Sequence, residues 1–162
     1  MLPVRRLTRI PLSSTLVRSL TAAPRAAPFL SHSIRSVSTT MDIVFTKDAA
    51  PPAGPYSHAI KTPTAIYCSG QIHFDPEGNL IQGTIQEKTA ACIRNLKAVL
   101  VAAGSDINKV VKVNIFLNDM NDFAAMNEEY SKWFTHKPAR SCVAVKTLPK
   151  NADVELEAIA LP

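Results

Sequence analysis

The residues best suited to chemistry lie near the C-terminus, in Pro138-Ala139-Arg140-Ser141-Cys142-Val143-Ala144-Val145. Proline discourages helix at the residue before it and lets an extended segment begin. From Arg140 the residues alternate, with Val143 and Val145 on one side and Arg140, Cys142 and Ala144 on the other. A guanidinium at a strand start, beside a thiol, offers a planar fork that suits a carboxylate. An ordinary surface arginine at a strand end has the same local pattern, and position alone favours that reading. Arg94 is the one other arginine after residue 40. Glu155 and Glu157 follow on a second alternating segment and are the acids that such a site would recruit. Which glutamate lies nearer Arg140 depends on strand order.

Other chemistries find little support. Cys68, Cys92 and Cys142 are too far apart for a CxxC pair, and an odd count in a reducing compartment points to free thiols. His32, His58, His73 and His136 have no i,i+4 partner, so no metal site is expected. Cys142 has no evident histidine partner in sequence that would make it a covalent nucleophile. No glycine-rich phosphate loop is present.

The elements that must position these residues can be read in order. Ile43-Val44-Phe45 is a short strand, and Ala49-Ala50-Pro51-Pro52-Ala53-Gly54-Pro55 is an extended loop because its prolines exclude regular structure. Residues 56–61 and 65–69 form two strands around Thr62-Pro63-Thr64. Ser69-Gly70-Gln71 ends the second, and a turn follows at Asp75-Pro76-Glu77-Gly78-Asn79. Over 84–103, Ile85, Cys92, Ile93, Leu96, Val99 and Leu100 recur at helical spacing, and Gly104 stops the helix. Residues 110–117 alternate, with Val111, Val113, Ile115 and Leu117 opposite Lys112, Asn114 and Phe116. Asn118-Asp119-Met120-Asn121 offers caps for a helix running to about His136, with Phe123, Met126, Tyr130, Trp133 and Phe134 as its buried stripe. The last strand spans 153–161, burying Val154, Leu156, Ala158 and Ala160 and leaving Glu155, Glu157 and Ile159 on the other face.

The sequence therefore predicts an α+β domain of about six strands, with two helices on one sheet face. The other face would carry Phe116, Cys142, Ala144 and Ile159 among Lys112, Asn114, Arg140, Glu155 and Glu157. So much apolar area is poor solvent surface, and other copies of the chain are expected to cover it. A site built from Arg140 and the glutamates would then lie between subunits.

Charge divides the chain. The 162 residues hold 18 Lys+Arg and 13 Asp+Glu, but six of the arginines (5, 6, 9, 18, 25 and 35) fall in residues 1–40, which contain no acid and no lysine. That segment, rich in Arg, Ser, Ala and Leu, has the composition of a mitochondrial transit peptide, with cleavage expected between Arg35 and Met41. Arg18, Pro24, Arg25 and Pro28 leave no apolar run long enough for a membrane span. Residues 41–162 form the expected domain. With the leader's arginines removed, this part keeps slightly more acids than bases, so no basic stripe remains for a nucleic-acid backbone.

Several spaced motifs together resemble the RidA (YjgF-type) family: Gly54-Pro55-Tyr56-Ser57, Ser69-Gly70-Gln71-Ile72, Asn127 to Tyr130, Pro138-Ala139-Arg140-Ser141-Cys142 and Val154-Glu155-Leu156-Glu157. The likeness covers residues 42–161, and several motifs in order are more specific than any one. The leader makes the chain similar to fungal mitochondrial members. The resemblance implies a chorismate-mutase-like fold, a homotrimer with clefts between subunits, and hydrolysis of reactive 2-imino acids to 2-oxo acids and ammonia.

The resemblance also assigns roles. It places Arg140 on the substrate carboxylate and Glu155 on the attacking water. Main chain around Ser69, Gly70 and Cys142, the Tyr56 hydroxyl and Asn127 complete the pocket. A protonated imine carbon is already electrophilic, so the chemistry requires no cofactor, only orientation and a base. His58 and His73 depart from the family's common glutamine and proline, and the loop before Pro138 is short, which bears on substrate preference.

The location implied is the mitochondrial matrix, with cytoplasm as an alternative. The expected benefit is protection of pyridoxal-phosphate enzymes, and through it isoleucine synthesis and mitochondrial DNA upkeep. A non-catalytic small-acid sensor or chaperone, and a nucleic-acid-associated maintenance factor, are the alternatives.

Overall fold

The computed structural model describes residues 40–162, so the expected leader lies outside the described residues except for Thr40. In chain order the elements are β1 (Asp42–Val44), β2 (Ala59–Lys61), β3 (Ile66–Ile72), α1 (Ile85–Ala102), β4 (Val110–Leu117), α2 (Phe123–Trp133), β5 (Ala139–Ala144) and β6 (Val154–Ala160). They form one six-stranded mixed sheet in the order β1-β2-β3-β6-β4-β5, as expected of an α+β domain. Only β4 and β5 run parallel, because α2 carries the chain back between them in a crossover.

Helix α1 forms where the sequence supplies both a seed and a stop. The Thr84 hydroxyl accepts from the Glu87 N–H while the Glu87 carboxylate accepts from the Thr84 N–H, a reciprocal cap. Cys92, Ile93, Leu96, Val99 and Leu100 are fully buried against the sheet. Gly104 then turns the chain at φ +78°, a conformation that glycine adopts without strain. On the facing strand β6, Val154, Leu156, Ala158 and Ala160 are buried, while Glu155, Glu157 and Ile159 alternate onto the other face.

Four local expectations are corrected. Ser69-Gly70-Gln71 does not end its strand: β3 continues to Ile72, with a bulge between Cys68 and Gln71. A bulge lets one strand carry an extra residue without breaking the ladder, which residue types alone do not reveal. In β4 the register with β6 shifts between Val110 and Lys112, so Val110 is buried and Val111 is 43% exposed. Tyr56 lies outside β2, which begins at Ala59, and α2 stops at Trp133 rather than near His136.

The fifth correction bears on function. Parallel pairing sets Arg140 beside Val113 and Cys142 beside Ile115. Val113 and Ile115 are core residues, so Arg140 and Cys142 share the helix-covered face, not the open one. Ser141 and Val143 take the open face instead, beside Asn114 and Phe116. The alternation within residues 140–145 was correct, but which half faced the helices was decided by register with β4.

The two histidines that depart from the family pattern are buried tethers. The His58 ring accepts from the Thr46 N–H through Nδ1 (3.1 Å) and donates from Nε2 to the Ala50 carbonyl (2.8 Å). His73 donates from Nδ1 to the Ile81 carbonyl (2.9 Å) and accepts through Nε2 from the Asp153 N–H (3.1 Å). In each ring one nitrogen donates and the other accepts, which fixes the ring's orientation. Burial lowers the His73 pKa below its ordinary value of 6.5, so the unfolded chain takes up a proton before the folded one does. Stability is expected to be full above pH 6.5 and to fall as the pH drops through the lowered folded value. Thermal unfolding followed from pH 7.5 to 5 should show this, and His73→Leu should flatten that part of the profile.

Candidate functional site

Arg140 is held by one face of α2. Its Nη1 donates to Asn127 Oδ1 at 2.6 Å, and its guanidinium carbon lies 4.8 Å from the centre of the Tyr130 ring and 5.8 Å from that of Phe123. Positions 123, 127 and 130 are one and two turns apart, so a single helical stripe builds the cradle. Two ring faces and an amide are attractive but uncharged partners; a cation–π contact contributes about 0.5–1 kcal/mol at such sites. Among the described residues no carboxylate pairs with Arg140. Its positive charge is therefore not compensated by an acid among the described residues. A hollow of about 250 Å³ opens beside it, lined by Tyr130, Phe134, Pro138 and Arg140 among others.

Cys142 follows on the same face, half-buried against the core. Burial raises its pKa, with nearby Arg140 opposing the shift, so it stays a thiol at neutral pH and is a poor nucleophile. Cys68 is pushed further by burial, to about 12.

Glu155 belongs to a second cluster. It pairs with Ile72 on β3 and Phe116 on β4, two apolar neighbours on the open face. Its carboxylate lies over Gly70, where a Cβ would collide with it, so only glycine admits this approach. Burial among these neighbours raises the Glu155 pKa, and like charge from Glu157 adds to the shift. The Glu157 carboxylate itself accepts from the Asn114 amide at 2.8 Å. Ser69 donates to the Ser57 carbonyl at 2.6 Å, tying the bulge to the loop that carries Tyr56. The Tyr56 hydroxyl accepts from the Ala53 N–H at 2.9 Å, and Tyr56 and Gly70 line one narrow hollow.

The expected residues thus fall into two groups within a chain. Arg140, Asn127 and Cys142 stand on the helix side near the β5 edge. Glu155, Gly70, Ser69 and Tyr56 gather around β3 and β6. Arg140 is in register with Val113 and Glu155 with Phe116, so the two charged groups are on opposite faces of the sheet. They cannot grip one small ligand within a single chain. Tyr130 and Phe123 belong to the core as their helical spacing predicts, and the same side chains also face the Arg140 guanidinium, which spacing alone did not reveal. The signal was their i,i+4,i+7 spacing with Asn127, once Arg140 is placed on that side.

Among the described residues no group of three or more His, Cys, Asp or Glu could hold a metal ion, and no helix is long and apolar enough to cross a membrane.

A six-stranded mixed sheet with two helices on one face, an arginine without a paired acid and a separate glutamate of raised pKa together define the fold and the candidate site. The chain belongs to the family described as Endoribonuclease L-PSP, the RidA (YjgF-type) family, whose model matches residues 46–162. A mitochondrial protein of Saccharomyces cerevisiae, MMF1, is 46% identical over 138 residues, covering 85% of this chain and 92% of the relative. The crystal structure of yeast Mmf1 matches with a TM-score of 0.74 over 75% of this chain and 98% of that one. The chloroplastic Reactive Intermediate Deaminase A of Arabidopsis thaliana is 37% identical over 165 residues, covering 96% of this chain and 88% of the relative. The crystal structure of E. coli TdcF with bound serine is 36% identical, with a TM-score of 0.71 over 75% of this chain and 98% of that one.

A carboxylate with a raised pKa weakens the folded state when ionised. Removing its charge should therefore stabilise the protein at neutral pH. Glu155→Gln is expected to unfold at a higher temperature than wild type at pH 7. The gap should shrink as the pH falls through the raised Glu155 value and vanish below its ordinary value of 4.5. Calorimetry across that range checks both.

Proposed function

We propose that the protein is a hydrolase that deaminates small 2-imino acids and their enamine tautomers to 2-oxo acids and ammonia. The substrates in view are 2-aminoacrylate with 2-iminopropanoate, and 2-iminobutanoate. The carrying observation is the uncompensated Arg140 fork, held by Asn127 and two rings and not by an acid. Its natural complement is a planar carboxylate. The family's named Reactive Intermediate Deaminase A and the serine-bound TdcF support a small amino-acid-like ligand.

In this reading the site is shared between copies of the chain in a homotrimer. Arg140, Asn127 and the main chain at Cys142 come from one copy, and Glu155, Gly70, Ser69 and Tyr56 from the next. The apolar open face, with Tyr67 and Val143 about half exposed, supports a covering copy. Arg140 fixes the carboxylate so that the protonated imine carbon faces the water held by Glu155. The carboxylate takes a proton as the water oxygen bonds to carbon, giving a carbinolamine. That proton then passes from Glu155 to the amine nitrogen, and as the carbon–nitrogen bond breaks the regenerated Glu155 carboxylate takes the hydroxyl proton and gives it up to solvent, releasing ammonia and leaving a 2-oxo acid. A raised pKa makes Glu155 the stronger base. Cys142, a thiol, takes no covalent part.

The acid-free, arginine-rich leader and the mitochondrial relative support action in the mitochondrial matrix. Protection of pyridoxal-phosphate enzymes, isoleucine synthesis and mitochondrial DNA would follow from imine removal. A small-acid sensor would use the same cleft without turnover, a reading that the serine-bound relative favours. Direct binding of nucleic acid is disfavoured, because residues 41–162 lack a net positive charge.

A dehydratase generating 2-aminoacrylate, followed by the purified protein, separates these readings: faster pyruvate release marks the enzyme, and ligand binding without turnover marks the sensor. Arg140→Lys should lower kcat/KM at least about tenfold, since one charge-assisted hydrogen bond is worth roughly 1.5–3 kcal/mol. Glu155→Gln should lower kcat with little change in KM. Light scattering of a protein starting at Met41 should give a trimer, and a monomer at micromolar concentration would remove the shared site.

A further inference from the structure

Tyr130 has no role in the mechanism above, yet its placement is unusual. One ring stacks on Phe134, at 4.5 Å between centroids and 24° between planes, and the same ring lies 4.8 Å from the guanidinium carbon of Arg140. The ring is 7% exposed, and its hydroxyl is buried with no hydrogen-bond partner among the described residues. A phenylalanine would fill the same space without stranding a polar atom. What the position supplies to its neighbour is therefore an electron-rich face with a rigid backing.

We propose that Tyr130, backed by Phe134 and assisted by Asn127, is a positioning residue that sets the Arg140 guanidinium for a carboxylate without neutralising it. This rests on the reading of Arg140 as the carboxylate fork. An arginine side chain has several rotatable bonds and, when free, loses orientation at each of them. An acid at position 127 would fix the fork equally well but would occupy it. The neutral amide at 2.6 Å and the ring face hold the plane and leave the charge available. Phe123, Asn127 and Tyr130 lie on one stripe of α2, so a single helix orients the Arg140 side chain on β5.

The test compares Tyr130→Leu, Tyr130→Phe and Asn127→Asp with wild type and Arg140→Ala. Each is assayed for 2-iminopropanoate hydrolysis, for inhibition by added pyruvate and for thermal unfolding. Tyr130→Leu should raise KM and the pyruvate inhibition constant together by about tenfold, with kcat within about threefold of wild type. Tyr130→Phe, which keeps the ring, should restore both constants to within about threefold. Asn127→Asp should weaken both by more than tenfold while melting no lower than wild type, because the new acid pairs with Arg140. Where Tyr130→Leu fails to fold, Tyr130→Met, which keeps bulk without a ring face, is read by the same two constants and should raise both about tenfold.

Should Arg140→Ala turn over substrate as well as wild type, the carboxylate reading itself falls. Should Arg140→Ala be crippled while a folded Tyr130→Leu or Tyr130→Met keeps wild-type constants, the reading stands and the positioning role is overturned. A fall in kcat alone, with KM and pyruvate inhibition unchanged, would also overturn it.

Discussion

Strand β6 lies between β3 and β4, and hydrogen bonding on both sides leaves its side chains only two directions. Val154, Leu156, Ala158 and Ala160 go toward α1, which buries Ile93, Leu96 and Leu100 against β6, β3 and α2. Glu155 and Glu157 are then obliged to stand on the open face. A one-residue slip would bury both acids under a helix, so the register is enforced by the core. The same pairing brings Glu155 between Ile72 and Phe116 and over the bare backbone of Gly70, where its pKa rises. Its chemical character follows from packing.

Arg140 is shaped by the opposite means. It stands on an edge strand beyond the densest part of the core, where a charge can be half covered without being fully desolvated. Its neighbours in the fold are aromatic and amide groups. Acidic partners exist elsewhere on the surface, as Lys88 with Asp153 (2.6 Å) and Lys132 with Glu129 (2.7 Å) show. Leaving Arg140 out of such pairs forgoes some stability in exchange for an available cation. Glu155 is expensive for a related reason: an ionised carboxylate among apolar side chains. An arginine without a paired acid and a carboxylate with a raised pKa are the electrostatic pattern that the proposed site calls for.

The histidines play a quieter part. His58 ties the loop leading to Tyr56, and His73 ties the start of β6, two residues before Glu155. Burial lowers the His73 pKa, so the tether at the start of β6 is itself sensitive to acid. Asn95 adds a third tether, donating to the Phe74 carbonyl at 2.9 Å. Loops rich in proline near the site thus gain order from buried polar side chains instead of from regular structure.

Much of this was legible in the chain. Helical spacing in residues 84–103, the alternation of 110–117 and 153–161, and the Thr84 and Gly104 signals each have a local physical cause, so they yielded six strands and two helices in order. The motifs yielded the family and its candidate residues. Bulges at 69–70 and near Val111, and the side on which Arg140 stands, did not follow, because each depends on a partner strand distant in sequence. Sequence determined that Arg140 and Cys142 share one side of their strand. Only the parallel pairing of β5 with β4 decided that this side meets α2, since register is a relation between two strands and is written in neither alone.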